Sequence, residues 1–402
     1  MTTTPTTSGV SCAQARWSDL PDDILGNIRL KIASLRERVR LAAVCKAWQA
    51  AAARLPAPAA APLLLLSPRS EIGRVRHLCG SGPGDSWVMH VPDKAVDKYI
   101  MGSHKGGWVA LLEYTTRNLT LLNLFSGVEV GVCSPRPDIP WGILWWSSVC
   151  HVIFSDDPAS SRGCILATIA DDLSSIALCK LGCRSGWTKH GWENKLFTNI
   201  AFCNGDLYGL VYPDKELVRF KISTKEDGSP MVTSTHQLAI QSHDVPTVAY
   251  YDCYIVELHG KPSKAIRTQW VLNQEPFFKV FELVDTDGGE AYQHKWVEMS
   301  SFGDYALFLG PARCKAVHVP VGAERRGCER NHIYYSKGVL SRESNWGDDE
   351  VYSLRLDDGR FTYCIEDQNI GDGLGRTGYY TMGSDNESMR QNASIWLDPP
   401  NL

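Results

Sequence analysis

From residue 106 onward, short apolar runs are repeatedly cut off by turn residues: "GGWVALLEY", "NLTLLNLFSGVEV", "DLYGLVYP", "ELVRFKIS", "FFKVFELVDTDGGE", "YALFLG", "HIYYS" and "EVYSLRLDDGRF". Runs of about four to eight residues bounded by Gly, Asp and Asn suit strands joined by hairpins. Several end alike, with an aromatic or aliphatic strand running into a Gly or Asp turn ("LNLFSG", "VDTDGG", "LRLDDG"), so the pattern is a degenerate internal repeat of antiparallel meanders. Residues 63–402 number roughly 340, and at about 40 to 50 residues per four-stranded blade they allow six or seven blades. The expected fold is mainly β, a β-propeller, in which Trp108, Tyr208, Trp296, Tyr334 and Tyr352 pack between blades. The late stretch "SIWLDPP" is expected to pair with the early "LLLLSP" and close the ring, removing two open sheet edges.

Composition narrows the partners. A net charge of −4 supplies no field that would draw in a phosphate backbone, so nucleic acid is not an expected partner. The continuously greasy run Leu63 to Leu66 is far short of the roughly 20 residues a membrane-crossing helix needs, so no membrane association is expected. Thirteen cysteines, an odd number without framework spacing, fit a reducing compartment. Residues 1–15 lack the basic and apolar regions of a signal peptide and read as a disordered tail. The protein is expected in the cytoplasm, the nucleus or both.

Ahead of the strands, "WSDLPDDILGNIRLKIASLRERVRLAAVCKAWQAAAARLP" divides into three short helices. Pro21 suits a helix start, Asp22 and Asp23 complement the positive helix N-terminus, and Leu20, Ile24, Leu25 and Ile28 share a face. Ser34 and Glu37 form a capping-box pattern for a second helix, and a third runs from about Cys45 through Trp48 to Leu55, where Pro56 stops it. Gly26 lies inside the first helix, at about 1 kcal/mol relative to Ala. About 40 residues bury too little surface to be stable alone without help, and this segment carries more apolar side chains than so small a core can hide. Between Arg16 and Leu55, eight basic residues oppose four acidic ones, a balance that favours an acidic partner. The Pro/Ala stretch 56–62 reads as a stiff linker to the strand-rich part, 63–402.

The motifs "LPDDIL" and "RVRLAAVCKAW", at their spacing within residues 16–55, resemble the F-box. That resemblance implies docking on the adaptor subunit of a cullin–RING ubiquitin ligase through Leu20, Pro21, Ile24, Leu25, Ile28, Val44, Cys45 and Trp48. The remainder is similar to the KIB-type β-propeller that follows the F-box in a large plant family. It matches in "GSHKGGWVALLE" with "LLNLFSG", "FCNGDLYGLVY", "WVEMSSFGDYALFLG" with "GCERNHIYYS", "VYSLRLDDGRF" and the closing "WLDPP". The combination implies a non-catalytic substrate receptor of an SCF-type ligase whose propeller holds a protein target. Two alternatives stand beside it: an enzyme using the propeller channel, and a propeller scaffold not engaged with a ligase.

Motifs for chemistry are few. Gly373 to Gly378 spells G-x-G-x-x-G, but no helix follows, so it reads as a loop. Cys314, His318, Cys328 and His332 have a zinc-like order, yet on a strand the members of each pair stand about 13 Å apart, far beyond metal-bond lengths of about 2 Å. Buried cysteines and strand histidines are the expectation, with no metal and no cofactor. Trp145 and Trp146 in "WGILWW", with Trp141, supply either core packing or an aromatic binding anchor, and Arg325 and Arg326 in "ERRGCERN" either a solvated loop or a partner-binding rim. These four, Trp145, Trp146, Arg325 and Arg326, are the candidate substrate-binding residues.

Overall fold

The computed structural model describes residues 17, 20–32, 35–54, 61–67, 75–79, 86–113, 116, 118–132, 151–160, 163–170, 172–192, 195–212, 216–241, 251–268, 278–286, 293–310, 313–319, 328–335, 363–364 and 393–399. The chain divides into two units, one holding residues 1–60 and the other 61–400.

The first unit contains α1 (Asp22–Lys31), α2 (Leu35–Ala42) and α3 (Lys46–Arg54). Asp22 and Asp23 occupy the first turn of α1 and Arg29 and Lys31 its last, each sign matched to its end of the helix dipole. The core is small: Leu25, Leu41, Ala51 and Ala52 are its buried apolar residues. Alanines at 51 and 52 leave room for α1 to come close, and the Arg29 guanidinium is buried there, donating to the Ala52 carbonyl. Arg38 Nε donates to the Ile32 carbonyl at 3.1 Å, tying the α1 C-terminus to α2.

The second unit is built of sheets. The first takes β1 (Leu63–Ser67), β2 (Val75–Cys79) and β3 (Ser86–His90); the second β4 (Lys98–His104), β5 (Trp108–Glu113), β6 (Leu119–Asn123) and β7 (Glu129–Gly131). The third holds β8 (Ile153–Phe154), β9 (Ile165–Ile169), β10 (Ser175–Lys180) and β11 (Thr188–Gly191). The fourth holds β12 (Phe197–Cys203), β13 (Asp206–Val211), β14 (Glu216–Thr224) and β15 (Pro230–Gln237). The fifth holds β16 (Ile240–Gln241), β17 (Tyr251–Leu258), β18 (Lys261–Thr268), β19 (Phe278–Asp285) and β20 (His294–Glu298). The sixth holds β21 (Tyr305–Leu309), β22 (Lys315–His318), β23 (His332–Tyr335) and β24 (Tyr363–Cys364). The last strand, β25 (Ala393–Leu397), returns to β1 and completes the first sheet.

Length division suggests six or seven blades. Among the described residues, five blades are each made of strands consecutive in the chain, and a further sheet is a composite of both ends of the domain. The closure follows the expected pairing: Leu63 faces Leu397, Leu64 faces Trp396 and Leu65 faces Ile395, antiparallel. Two departures from simple meanders occur, since β16 runs parallel to β20 and β23 parallel to β21. In the second case β22 takes one edge of β21 and β23 the other; the chain reverses twice between β21 and β23, so those two point alike. Ala61, in the stretch read from sequence as the linker, packs against the cluster of Leu64, Phe308 and Trp396.

The apolar runs look continuous because sheets such as the third, fourth, fifth and sixth are covered on both faces. On β19, Phe278 and Val280 pack toward the sixth sheet while Phe281 and Leu283 pack toward the fourth. Comparable clusters join the second to the third sheet, the third to the fourth and the sixth to the first. Trp108, Trp296 and Tyr334 are buried in these layers as expected, and Tyr208 is half-buried; Tyr352 lies outside the described residues. The loops Asn204–Gly205 and His259–Gly260 have positive φ at both residues, the conformation of two-residue hairpin turns. Asn204 Nδ2 donates to the Gly260 carbonyl at 2.6 Å, so the turns of neighbouring sheets brace each other.

Gly102 shows how closely the sheets approach. A Cβ at this position would collide with the Val152 carbonyl oxygen, and Val152 N–H donates to the Met101 carbonyl at 2.9 Å, so β4 and the segment entering β8 meet backbone to backbone. Gly102→Ala is expected to destabilise by about 2 kcal/mol, in the range for overpacking, and to lower the melting temperature by several degrees. An unchanged thermal melt of that variant would show that the two strands part freely.

Candidate functional site

In the helical unit, α1 turns Leu25, Gly26 and Arg29 inward. Of the eight candidate adaptor-binding residues, Leu25 is only 3% exposed and serves the unit's own core. Ile24 is 41% and Val44 57% exposed, and Pro21 is also exposed. Leu20, Ile28, Cys45 and Trp48 are half-buried, and Trp48 Nε1 donates to the Trp17 carbonyl at 2.9 Å. Leu30 and Val39 are exposed as well, at 47% and 46%, although the sequence reading did not single them out for docking. Val39 recurs with Leu35, Ala42 and Ala43 at helical spacing, yet the buried positions of α2 are Arg38 and Leu41, so the period alone did not mark it as exposed. Helices this short that leave this many large aliphatic groups in water have an unfinished surface.

The four candidate substrate-binding residues, Trp145, Trp146, Arg325 and Arg326, lie outside the described residues, as does the glycine-rich stretch 373–378. The zinc-like quartet is placed. Cys314 Sγ donates to the Gly310 carbonyl at 3.4 Å, and the His318 ring packs edge-on against Tyr305. Cys328 is buried among Leu64, Phe308 and Trp396, and His332 Nε2 lies 3.2 Å from Glu329. Burial pushes the Cys314 and Cys328 thiols up to about 12. Among the described residues no group of three or more potential metal ligands converges.

The residues that do converge lie at the hub of the propeller. Strands β25, β4, β8, β12, β17 and β22 are its innermost strands, each neighbouring the next around a cavity of about 440 Å³. Where β25 meets its neighbours, Ser103 Oγ donates to the Trp396 carbonyl at 2.5 Å and Trp396 Nε1 donates to the Leu309 carbonyl at 2.9 Å. Asp398 follows β25 and receives Arg313 Nη2 at 2.7 Å and Lys315 Nζ at 2.8 Å on the same oxygen. Burial alone would raise the Asp398 carboxyl, but the two cations outweigh it and hold the group below the usual carboxylate range. His104, at the end of β4, is neutral: burial first, then the charges of Arg313 and Lys105, bring it down to about 3. Its ring stacks on Phe154 at 5.4 Å. His151 is brought down to about 4 by burial, although Met101 supplies a backbone partner.

The Asp398 pairing has a pH signature. A carboxyl depressed by folding contributes stability above its unfolded value, near 4, and loses that contribution as pH falls through its folded value. Asp398→Asn should therefore melt below the wild type at pH 7, because Arg313 loses its buried counter-charge, and the gap should narrow when the two are compared at about pH 3. A gap of the same size at both pH values would mean that Asp398 is not held ionised by these cations.

Sequence reading missed this hub, since Asp398, Arg313 and His104 are distant in the chain and none sits in a motif. It also missed Lys264, fully buried in β18 with its ammonium 4.9 Å from the Trp296 ring centre and 5.4 Å from that of Phe281. Two aromatic faces supply the attraction that makes a buried lysine tolerable.

Two family models match parts of this chain. Residues 17–55 match the F-box-like model and residues 83–370 the KIB1-4 β-propeller model. The Arabidopsis thaliana F-box protein At2g26160 is 25% identical over 359 residues, covering 80% of this chain and 96% of its own. F-box/kelch-repeat protein At1g57790, also from Arabidopsis thaliana, is 23% identical over 393 residues, covering 96% and 95%. Among solved structures, Kluyveromyces lactis Hsv2 aligns with 59% of this chain and 69% of its own at 12% identity and a TM-score of 0.32, too weak a likeness to bear on the fold. Helices of the F-box type followed by sheets of this arrangement make the chain an F-box protein of the substrate-adaptor type, and it belongs to the KIB1-4 β-propeller family.

Proposed function

We propose that this chain is the substrate-recognition subunit of an SCF-type ubiquitin ligase, its helices docking a Skp1-type adaptor and residues 63–402 holding a protein target. The observation that carries this reading is the exposure of Ile24 and Val44 on a three-helix unit matched to the F-box-like model. Adaptor binding would cover these groups, and each fully buried aliphatic side chain contributes about 1.5 to 3 kcal/mol. The net positive charge of residues 16–55 favours an acidic adaptor surface and a faster encounter. The subunit itself performs no bond chemistry: holding a target close to a ubiquitin-loaded carrier raises its effective concentration. Such a receptor works in the cytoplasm, the nucleus or both, and no helix among the described residues is long and apolar enough to cross a membrane.

The direct test is co-purification of the full chain with a Skp1-type adaptor. Capture at micromolar concentration is the expected result. Absence of capture at that concentration would remove the ligase reading.

A further inference from the structure

We propose that the hub of the propeller binds a small oxyanion, a carboxylate or phosphate group, held by Arg313, Lys315 and His104. Three observations at one place carry the proposal. Arg313 and Lys315 both spend their charge on a single oxygen of Asp398, so two cations face one buried anion and this end of the cavity keeps an excess positive charge. Arg313 Nη1 and His104 Nε2 are both shut off from solvent and lack a hydrogen-bond partner among the described residues. A buried polar group left unmatched costs stability, and both of these belong to residues that line one cavity, so an oxyanion there would supply the acceptors they lack once the side chains turn toward it. The third observation is the space itself: Ser103, His104, Arg313 and Lys315 line the cavity of about 440 Å³, within the range of small-ligand sites.

The chemistry suits an oxyanion better than a cation. A guanidinium edge is a donor without acceptor capacity, and it forms its strongest hydrogen bonds with carboxylate and phosphate oxygens. The neutral His104 ring, in the tautomer with its proton on Nε2, adds one N–H and no competing charge. Ile153, Ile200 and Ile255 are also among the lining residues, and the apolar layers they belong to lower the local dielectric, strengthening the contact. The lining also holds the carboxylate of Glu257, on β17, so the favoured position of the anion is the Arg313 end.

The oxyanion has two sources, a free small molecule or an acidic side chain of a bound protein, and one experiment separates them. The full chain is titrated with inorganic phosphate and, separately, succinate by calorimetry, with sodium chloride of matched ionic strength as control. Saturable binding is expected for at least one probe, weakened at least about tenfold by Lys315→Met and by His104→Phe. His104→Phe keeps the ring stacked on Phe154 and removes the donor, so it remains decisive even where an Arg313 variant fails to fold. Displacement of the bound probe by a hexaglutamate peptide supports the side chain of a protein as the source, and no displacement supports a free small anion. The proposal is overturned if neither probe binds saturably up to about 10 mM, or if both variants bind as tightly as the wild type.

Discussion

Removal of residues 395–402 is expected to abolish the folded propeller or lower its melting temperature by more than about 15 °C. Ile395, Trp396 and Leu397 are buried, as are their β1 partners Leu63, Leu64 and Leu65. Losing three such side chains forfeits on the order of 8 kcal/mol, comparable with the whole stability of many domains. The loss reaches beyond the strand. Phe308 sits between Tyr334, stacked at 4.7 Å, and Trp396, edge-on at 5.0 Å, so the seam between the first and sixth sheets loses one wall. Arg313 and Lys315 also lose Asp398, and β1 becomes an open edge available for pairing with other chains. Trp396→Ala alone should cost about 3 to 5 kcal/mol, and Trp396→Phe less, because the ring contact with Phe308 is kept while the hydrogen bond to the Leu309 carbonyl is lost. A truncated chain melting within about 2 °C of the full chain would mean that the ring does not depend on this strand.

Val44→Asp and Ile24→Asp are each expected to weaken adaptor capture at least about 30-fold, since an aspartate placed in an apolar interface must be desolvated without a partner. Both side chains are exposed on the surface of the helical unit, so the circular dichroism and melting temperature of the variants should stay close to the wild type. Leu25→Asp is a poorer probe although Leu25 belongs to the same motif: its side chain is in the helical core, and a charge there unfolds the unit whatever its partner. Trp48→Ala likewise mixes two effects, because the indole is half-buried and donates to the Trp17 carbonyl. Capture of the adaptor by Val44→Asp and Ile24→Asp as efficient as by the wild type would place the docking surface elsewhere.

Much of the architecture can be read before any coordinates. Pro21, the acidic pair Asp22 and Asp23, and the Ser34/Glu37 spacing anticipate helices that run Asp22–Lys31 and Leu35–Ala42. These are local signals, decided within one turn of helix. The pairing of "SIWL" with "LLLL" was also legible, because a run buried on both faces needs a partner and the two ends of a ring are each other's missing neighbour. Exposure was less legible. Ile24 and Leu25 are adjacent and equally apolar, and only the approach of α3, allowed by Ala51 and Ala52, separates the one in water from the one in the core.

What the sequence by itself determined is the class of its elements and the order of its parts: three short helices, a linker, then strands cut off by Gly, Asp and Asn turns. Those properties depend on periodicity and backbone freedom, which neighbouring residues carry. The tertiary structure alone decided that His104, Arg313 and Asp398 meet at one hub and that a buried Lys264 rests between two aromatic rings. Charges and donors far apart in the chain acquire their partners from strand register and ring closure, and no local pattern records the distance between them.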